Sequence, residues 1–201
     1  MKTVRRSGGE GDKTRTAILD ATESIMREEG YAAVSSRRVA ERAGLQPSLV
    51  HYHFGTMEDL FLALYKRTQD AYLARHVKAL TADNPLTSLW EFNTEMSGTV
   101  LVLEFIALAS HHKAVRDEIR RSGEIVRNIE TAFFSRLLER LGLDEGEYPP
   151  AVLSFVIAAA ARAFVTEGTL GISTGHTEVL AFLRRRLREL ESRGREEAAK
   201  P

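Results

Sequence analysis

The sequence predicts an all-α fold, with a small three-helix unit at the N-terminus and a larger helical unit after it. Two observations carry this. Apolar residues return at helical spacing from Ile18 almost to the C-terminus while strand-type alternation is nearly absent. Stop signals also stand where the periodicity breaks, at Gly30, Gly44, Gly55, Pro85 and Gly142. A chain of 201 residues, 43% of them hydrophobic, can bury a substantial core.

The elements follow in order. A first helix is expected from Lys13 to Glu29, with Ile18, Ala21 and Ile25 inward and Gly30 as its stop. Ser35 or Ser36 caps a short helix through Ala43, Gly44 breaks it, and Pro47 opens another that ends near Phe54. Thr56, with Glu58 and Asp59 behind it, starts a longer helix to about Leu80, since a hydroxyl cap and early carboxylates suit exposed amides. Further helices are expected at about 86–97, 99–111, 114–141, 150–168 and 175–193. In the longest, Val115, Ile119, Val126, Ile129, Phe133, Leu137 and Leu141 form one stripe. The domain reading is a basic, glycine-rich arm over 1–12, a first domain over 13–58, a second over 59–193 and a tail over 194–201.

Composition removes several classes of function. Basic and acidic residues balance at 28 each, so any attraction to nucleic acid must be local. With no cysteine there is no disulfide scaffold, thiol nucleophile or cysteine-ligated metal, and a cytoplasmic location is expected. The N-terminus lacks the apolar core of a secretory signal. Ala151–Val165 contains Ser154 and Arg162 and falls short of a span of about 20 residues, so it reads as a buried helix and no membrane partner is expected.

Function concentrates between Ser36 and Phe54. Ala40, Gly44 and Val50 have helix-turn-helix spacing: a small residue admits the second helix, a glycine takes a left-handed turn, and a branched residue packs between the helices. The major groove admits such a helix, and its N-terminal residues reach base edges or phosphates. Gln46, Pro47, Ser48, His51 and Tyr52 are so placed as readers, with His53 beside them. Ser36 and Arg37, at the head of the preceding helix, suit phosphate oxygens that set register. Lys2, Arg5 and Arg6 form an acid-free arm suited to the DNA backbone or minor groove.

The stretch SSRRVAERAGLQPSLVHYHFGTMEDLF, from Ser35 to Phe61, resembles the TetR family of bacterial transcriptional regulators. The shared features are Gly44, the cluster His51-Tyr52-His53-Phe54 and the acidic helix start at Glu58-Asp59. His51 stands where many relatives place tyrosine, and Met57 where many carry a phosphate-binding lysine, so any phosphate contact at 57 falls to the backbone amide. The resemblance implies an all-helical homodimer. Three N-terminal helices bind a double-stranded operator, and a larger C-terminal part is the ligand-binding and dimerisation domain, with repression relieved by a small molecule. It places dimerisation on the last two long helices, through Ala158, Val179, Leu183 and Leu187.

The remaining polar residues have competing readings. His51 and His53, two apart, point to different sides of a helix, and His111-His112 reads as a solvated pair, so neither metal nor cofactor is expected. Gly8–Thr14 superficially matches a phosphate loop, yet Asp12 interrupts it and no strand precedes it. Glu104 and Arg162 each stand alone in an apolar segment, which suggests either a buried ion pair or polar anchors for a mostly apolar ligand. Trp90, Met96, Phe105 and Phe133 are candidates to line that pocket, or ordinary core. Arg184–Arg186 read as a solvated face. The alternatives to a ligand-released repressor are a ligand-independent regulator and a helical enzyme, for which no nucleophile–base set is present.

Overall fold

The computed structural model describes residues 7–198, and within them the side chains at all positions except 7–9, 96–99 and 193–198. The helices are α1 (Ser7–Glu29), α2 (Ser36–Ala43), α3 (Pro47–Phe54), α4 (Met57–Leu80), α5 (Pro85–Asn93), α6 (Met96–Ala109), α7 (Lys113–Leu141), α8 (Pro150–Thr169) and α9 (His176–Ala198), with a 3-10 turn at Tyr31–Ala33. Among the described residues there is no strand. Two compact units divide the chain. The first runs to Gln69 and takes in Val100–Arg120; the second holds Asp70–Thr99 and the chain from Arg121 onward.

Three boundaries differ from expectation. Helix α1 begins at Ser7, inside the segment read as an arm, where Glu10 in the first turn suits the positive end of the helix dipole; the Thr14 and Thr16 hydroxyls donate to the Glu10 and Asp12 carbonyls at 3.0 and 2.9 Å. Glycines are tolerated there because extension of an already packed helix needs no new nucleus. Lys2, Arg5 and Arg6 lie outside the described residues. Helix α5 stops at Asn93 because Thr94 turns back, its amide and hydroxyl both donating to the Trp90 carbonyl at 3.0 and 2.8 Å. Helix α9 continues to Ala198, through most of the expected tail.

The first unit has one core. Ile18, Ile25 and Met26 of α1 pack with Val39 and Ala40 of α2, Val50 and Phe54 of α3 and Leu60 and Leu64 of α4. Leu101, Phe105 and Leu108 of α6 and Val115 of α7 complete it, so residues far beyond position 58 belong to this unit. The reason is apolar area: α1 and the two short helices after it do not close their own core, and α6 covers what they leave open. Arg67 joins α4 to α1 through Asp20 and Glu23 at 2.6 and 2.8 Å, and Glu58 accepts the Ala114 amide at 3.2 Å at the start of α7. His112 is half-buried edge-on to Phe61, 5.5 Å between centroids, rather than solvated, while His111 is exposed.

In the second unit Leu86, Leu89 and Trp90 of α5, Phe134 and Leu137 of α7, Ala161 of α8 and Leu187 of α9 form the core. Buried Glu191 of α9 accepts the Thr87 amide at 3.0 Å and its hydroxyl at 2.9 Å, so a carboxylate from a distant helix satisfies the open first turn of α5. Helix α8 is not a buried helix within one chain: Val152, Phe155 and Val156 lie on its surface, Phe155 at 62% exposure. By length and composition α8 also passes for a membrane span, although it carries Arg162 on its exposed side and engages Ser154 in a buried hydrogen bond.

Glu104 is the tie that sequence periodicity did not anticipate. It accepts the Tyr31 amide at 2.7 Å, and its carboxylate lies where a Cβ on Gly30 would approach to 3.3 Å. Gly30 has φ 83° and ψ 163°, a region essentially reserved for glycine. Glu104→Ala strands that amide and should lower the unfolding free energy by about 1–3 kcal/mol in urea titrations. Gly30→Ala combines backbone strain with the close contact and should cost a similar 1–3 kcal/mol. Glu104→Gln, which keeps an acceptor, should cost less than Glu104→Ala.

Candidate nucleic-acid interface

The turn between α2 and α3 is built from its caps. The Ser35 side chain accepts the Arg38 amide at 3.4 Å and opens α2. Gly44 closes it in the left-handed region, φ 67° and ψ 33°, and Leu45 donates to the Ala40 carbonyl at 2.8 Å, which satisfies the last turn. Ala40 and Val50 are fully buried, as a close helix crossing demands. Pro47 is the first residue of α3, where its missing amide hydrogen costs nothing. Gln46 precedes it as N-cap, yet its side chain makes no capping hydrogen bond. Beyond α3, the Thr56 hydroxyl accepts the Asp59 amide while Asp59 accepts the Thr56 amide, each at 3.1 Å, a reciprocal capping box that starts α4.

Helix α3 buries only Val50 and Phe54. Gln46, Pro47, Ser48, His51 and Tyr52 are exposed together along the rest of it, and His53 is half-buried with its ring edge-on to Tyr52 at 5.2 Å. Tyr52 is 81% exposed, so its ring contributes almost nothing to the packing of this chain. The His51 ring nitrogen Nδ1 lies 3.4 Å from the Gly55 carbonyl, which leaves the far edge of the ring outward. Arg15 of α1 stacks over Phe54 at 5.0 Å and helps to hold the C-terminal end of α3. Met57 is half-buried against the first core, so its side chain is a packing group.

The arginines of α2 divide by role. Arg38 pairs with Glu29 at 2.5 Å, and Arg42 with Glu28 and Glu29 at 2.9 and 3.4 Å, binding α2 to α1. The Ser24 hydroxyl and the Arg42 guanidinium hold the Glu28 carboxyl below the usual range, so it stays ionised. Arg37, between the two, is exposed, and Ser36 is half-buried beside it at the helix start.

The other expected sites fare differently. Glu104 and Phe105 belong to the first unit, where Glu104 holds the Tyr31 amide and Phe105 packs edge-on to Tyr65 at 5.1 Å. Trp90 and Phe133 belong to the second, where Arg162 is exposed. The Met96 side chain lies outside the described residues. Of the expected dimer residues, Leu187 is in the chain's own core, Leu183 packs against it, Ala158 is half-buried and Val179 is exposed. Missed altogether was a buried polar cluster of His76, Glu130 and Ser154. Its one signal was position: Glu130 sits four residues after Val126 and four before Phe134, inside the stripe of α7.

Residues 18–64 match the model of the bacterial regulatory proteins of the tetR family. The regulator UidR of Escherichia coli is 27% identical over 152 residues, 64% of this chain and 78% of that protein. The repressor AcnR of Corynebacterium efficiens is 26% identical over 183 residues, 85% of this chain and 92% of its own length. Among solved structures, Salmonella enterica GusR shares the fold with a TM-score of 0.69 at 18% identity, covering 90% of this chain and 96% of that one. A TetR-family regulator from Rhodococcus gives 0.67 at 19%, over 90% and 97%. With the turn geometry and the outward row of α3, these matches support a DNA-binding transcriptional regulator of the TetR type.

Proposed function

We propose that this regulator is a homodimeric repressor of a palindromic operator, acting in the cytoplasm and released by a small, mostly apolar molecule. The observation that carries the DNA half is the outward row Gln46, Pro47, Ser48, His51 and Tyr52 on a helix whose only buried side chains are Val50 and Phe54. A tyrosine at 81% exposure is free to meet a partner outside the chain, and a major groove offers base edges and thymine methyls. Arg37 and the amides at the start of α2 are the positioners on phosphate.

Dimerisation is supported by a second surface. Val152, Phe155 and Val156 of α8 and Val179 and Phe182 of α9 are all exposed, an apolar set on the two helices that neighbour each other at the C-terminal end of the chain. A second copy covers such a set by two-fold symmetry, which also gives the operator its palindrome. Two recognition helices about 34 Å apart then read successive major grooves. A ligand bound in the second unit, which would be the sensing and dimerisation domain, changes that spacing, and α4 carries residues of both units along one continuous helix.

Two outcomes are expected. Replacing Gln46 and Tyr52 together with alanine should weaken specific operator binding by about a hundredfold or more, since each base contact is worth roughly 1–3 kcal/mol, while the dimer and its salt-sensitive non-specific binding persist. Undiminished operator affinity in a mobility-shift titration would remove α3 as the reader. Val156→Arg should shift the chain from dimer to monomer in analytical ultracentrifugation and weaken binding to a full palindrome far more than to a half-site. A variant that sediments as the wild type places the interface elsewhere.

A further inference from the structure

The second unit contains a buried polar cluster that DNA binding does not use. His76 of α4 has no exposed surface, and its Nε2 lies 3.0 Å from Glu130 Oε1 on α7. The other oxygen of Glu130 accepts from the Ser154 hydroxyl of α8. Ser154 in turn accepts from Arg127 at 2.7 Å, and the same guanidinium lies 3.6 Å from Glu130. Both carboxylate oxygens of Glu130 are therefore engaged as acceptors, and Arg127 balances its charge. The Nε2 that faces a Glu130 oxygen is the ring's donor, and in the tautomer with its hydrogen there Nδ1 keeps a lone pair.

That Nδ1 is buried and has no hydrogen-bond partner. An orphaned acceptor in a core lowers stability, and a phenyl ring stacked in the same place would avoid the loss. Two aromatic rings flank the imidazole: Tyr72 stacked at 5.7 Å and 16°, and Phe92 at 5.6 Å, with Tyr72 and Phe92 4.9 Å apart. Arg75, paired with Glu95, lies over Phe92 at 5.4 Å.

These charges select the ligand. The carboxylates of Glu95 and Glu130 are already paired with Arg75 and Arg127, so no net charge draws a cation. A carboxylate would set its own lone pairs against the Nδ1 lone pair. An uncharged donor meets neither obstacle. We propose that His76 is the polar anchor of the effector site: the effector is an uncharged, hydroxyl-bearing molecule whose O–H donates to Nδ1 and whose apolar body packs on Tyr72 and Phe92. This rests on the reading that the second unit senses a small molecule. Ser154 and Arg127 are positioning residues, holding Glu130 so that the ring keeps its tautomer.

The test uses the full-length protein and three matched probes: 4-propylphenol, 4-propylanisole and 4-propylbenzoate. Calorimetric titration should show the phenol binding about tenfold more tightly than the ether, the value of one hydrogen bond, with the benzoate weaker than the phenol. In 15N-histidine-labelled protein the phenol should move the His76 Nδ1 resonance and leave Nε2 nearly in place. His76→Phe keeps the ring stack and should abolish the preference for phenol over ether. If that variant fails to fold, the wild-type resonance and the phenol-to-ether ratio decide the matter alone. Equal binding of phenol and ether, tighter binding of the benzoate, no binding of any probe, or a preference that survives in His76→Phe overturns the proposal. Operator release, scored separately with a metabolite library, keeps the two readings apart. Release by compounds that leave the His76 resonance unmoved would retain the effector reading and sink this one. Hydroxyl-selective binding at His76 with no compound releasing the operator would retain the site and sink the effector reading.

Discussion

The burial of Val50 and Phe54 is the constraint on which DNA binding depends. Helix α3 has eight residues, too few to persist in water by its own hydrogen bonds. Its existence, and hence the outward row from Gln46 to Tyr52, comes from two side chains locked into a core built by α1, α2, α4 and α6. The same two residues set the rotation of α3 about its axis, because the 3.6-residue period leaves only one face outward once they are fixed. A DNA-binding helix gains by this: its outward row stays accessible to a partner outside the chain, and the helix under it is held in place.

The core that holds α3 is completed from a distance. Leu101, Phe105 and Leu108 reach it from α6, and Glu104, on the same helix, holds the Tyr31 amide at the turn that leads into α2. Helix α6 therefore contributes both apolar cover and a directed bond to the DNA-binding unit. Such a bond is selective in a way that apolar contact is not, since a carboxylate must lie within hydrogen-bond distance of one particular amide. A shift of α6 would be felt first at Gly30 and Tyr31, ahead of α2, and so at the entry to the recognition motif rather than within it.

What was legible in the sequence was what is local. Gly44, Pro47 and the Thr56–Asp59 capping box act through their nearest neighbours, and each is where residue type alone puts it. The partners of Glu104 and His76 were not legible, because their bonds join residues 73 and 54 positions apart and leave no periodic trace. Glu104 stood out as an isolated charge, which identified a need for a partner but could not name a backbone amide as the answer. Helical stripes also fail to distinguish a chain's own core from a surface awaiting a second chain. Leu187 and Phe155 look alike as apolar stripe residues, yet Leu187 is buried and Phe155 is 62% exposed.

Equal numbers of acidic and basic residues pose a last question, how a neutral protein holds a polyanion. Local pairing supplies part of the answer. Glu28 and Glu29, which would repel phosphates beside the motif, are matched by Arg42 and Arg38, and this leaves Arg37 as an exposed cation at the head of α2. One such patch gives few phosphate contacts, and the electrostatic part of DNA affinity grows with their number. A two-fold dimer doubles the contacts without changing the charge balance of the chain. In the proposed dimer the apolar face of α8 and α9 and the weak basic surface of the first unit would answer the same need, affinity for DNA obtained through symmetry instead of net charge.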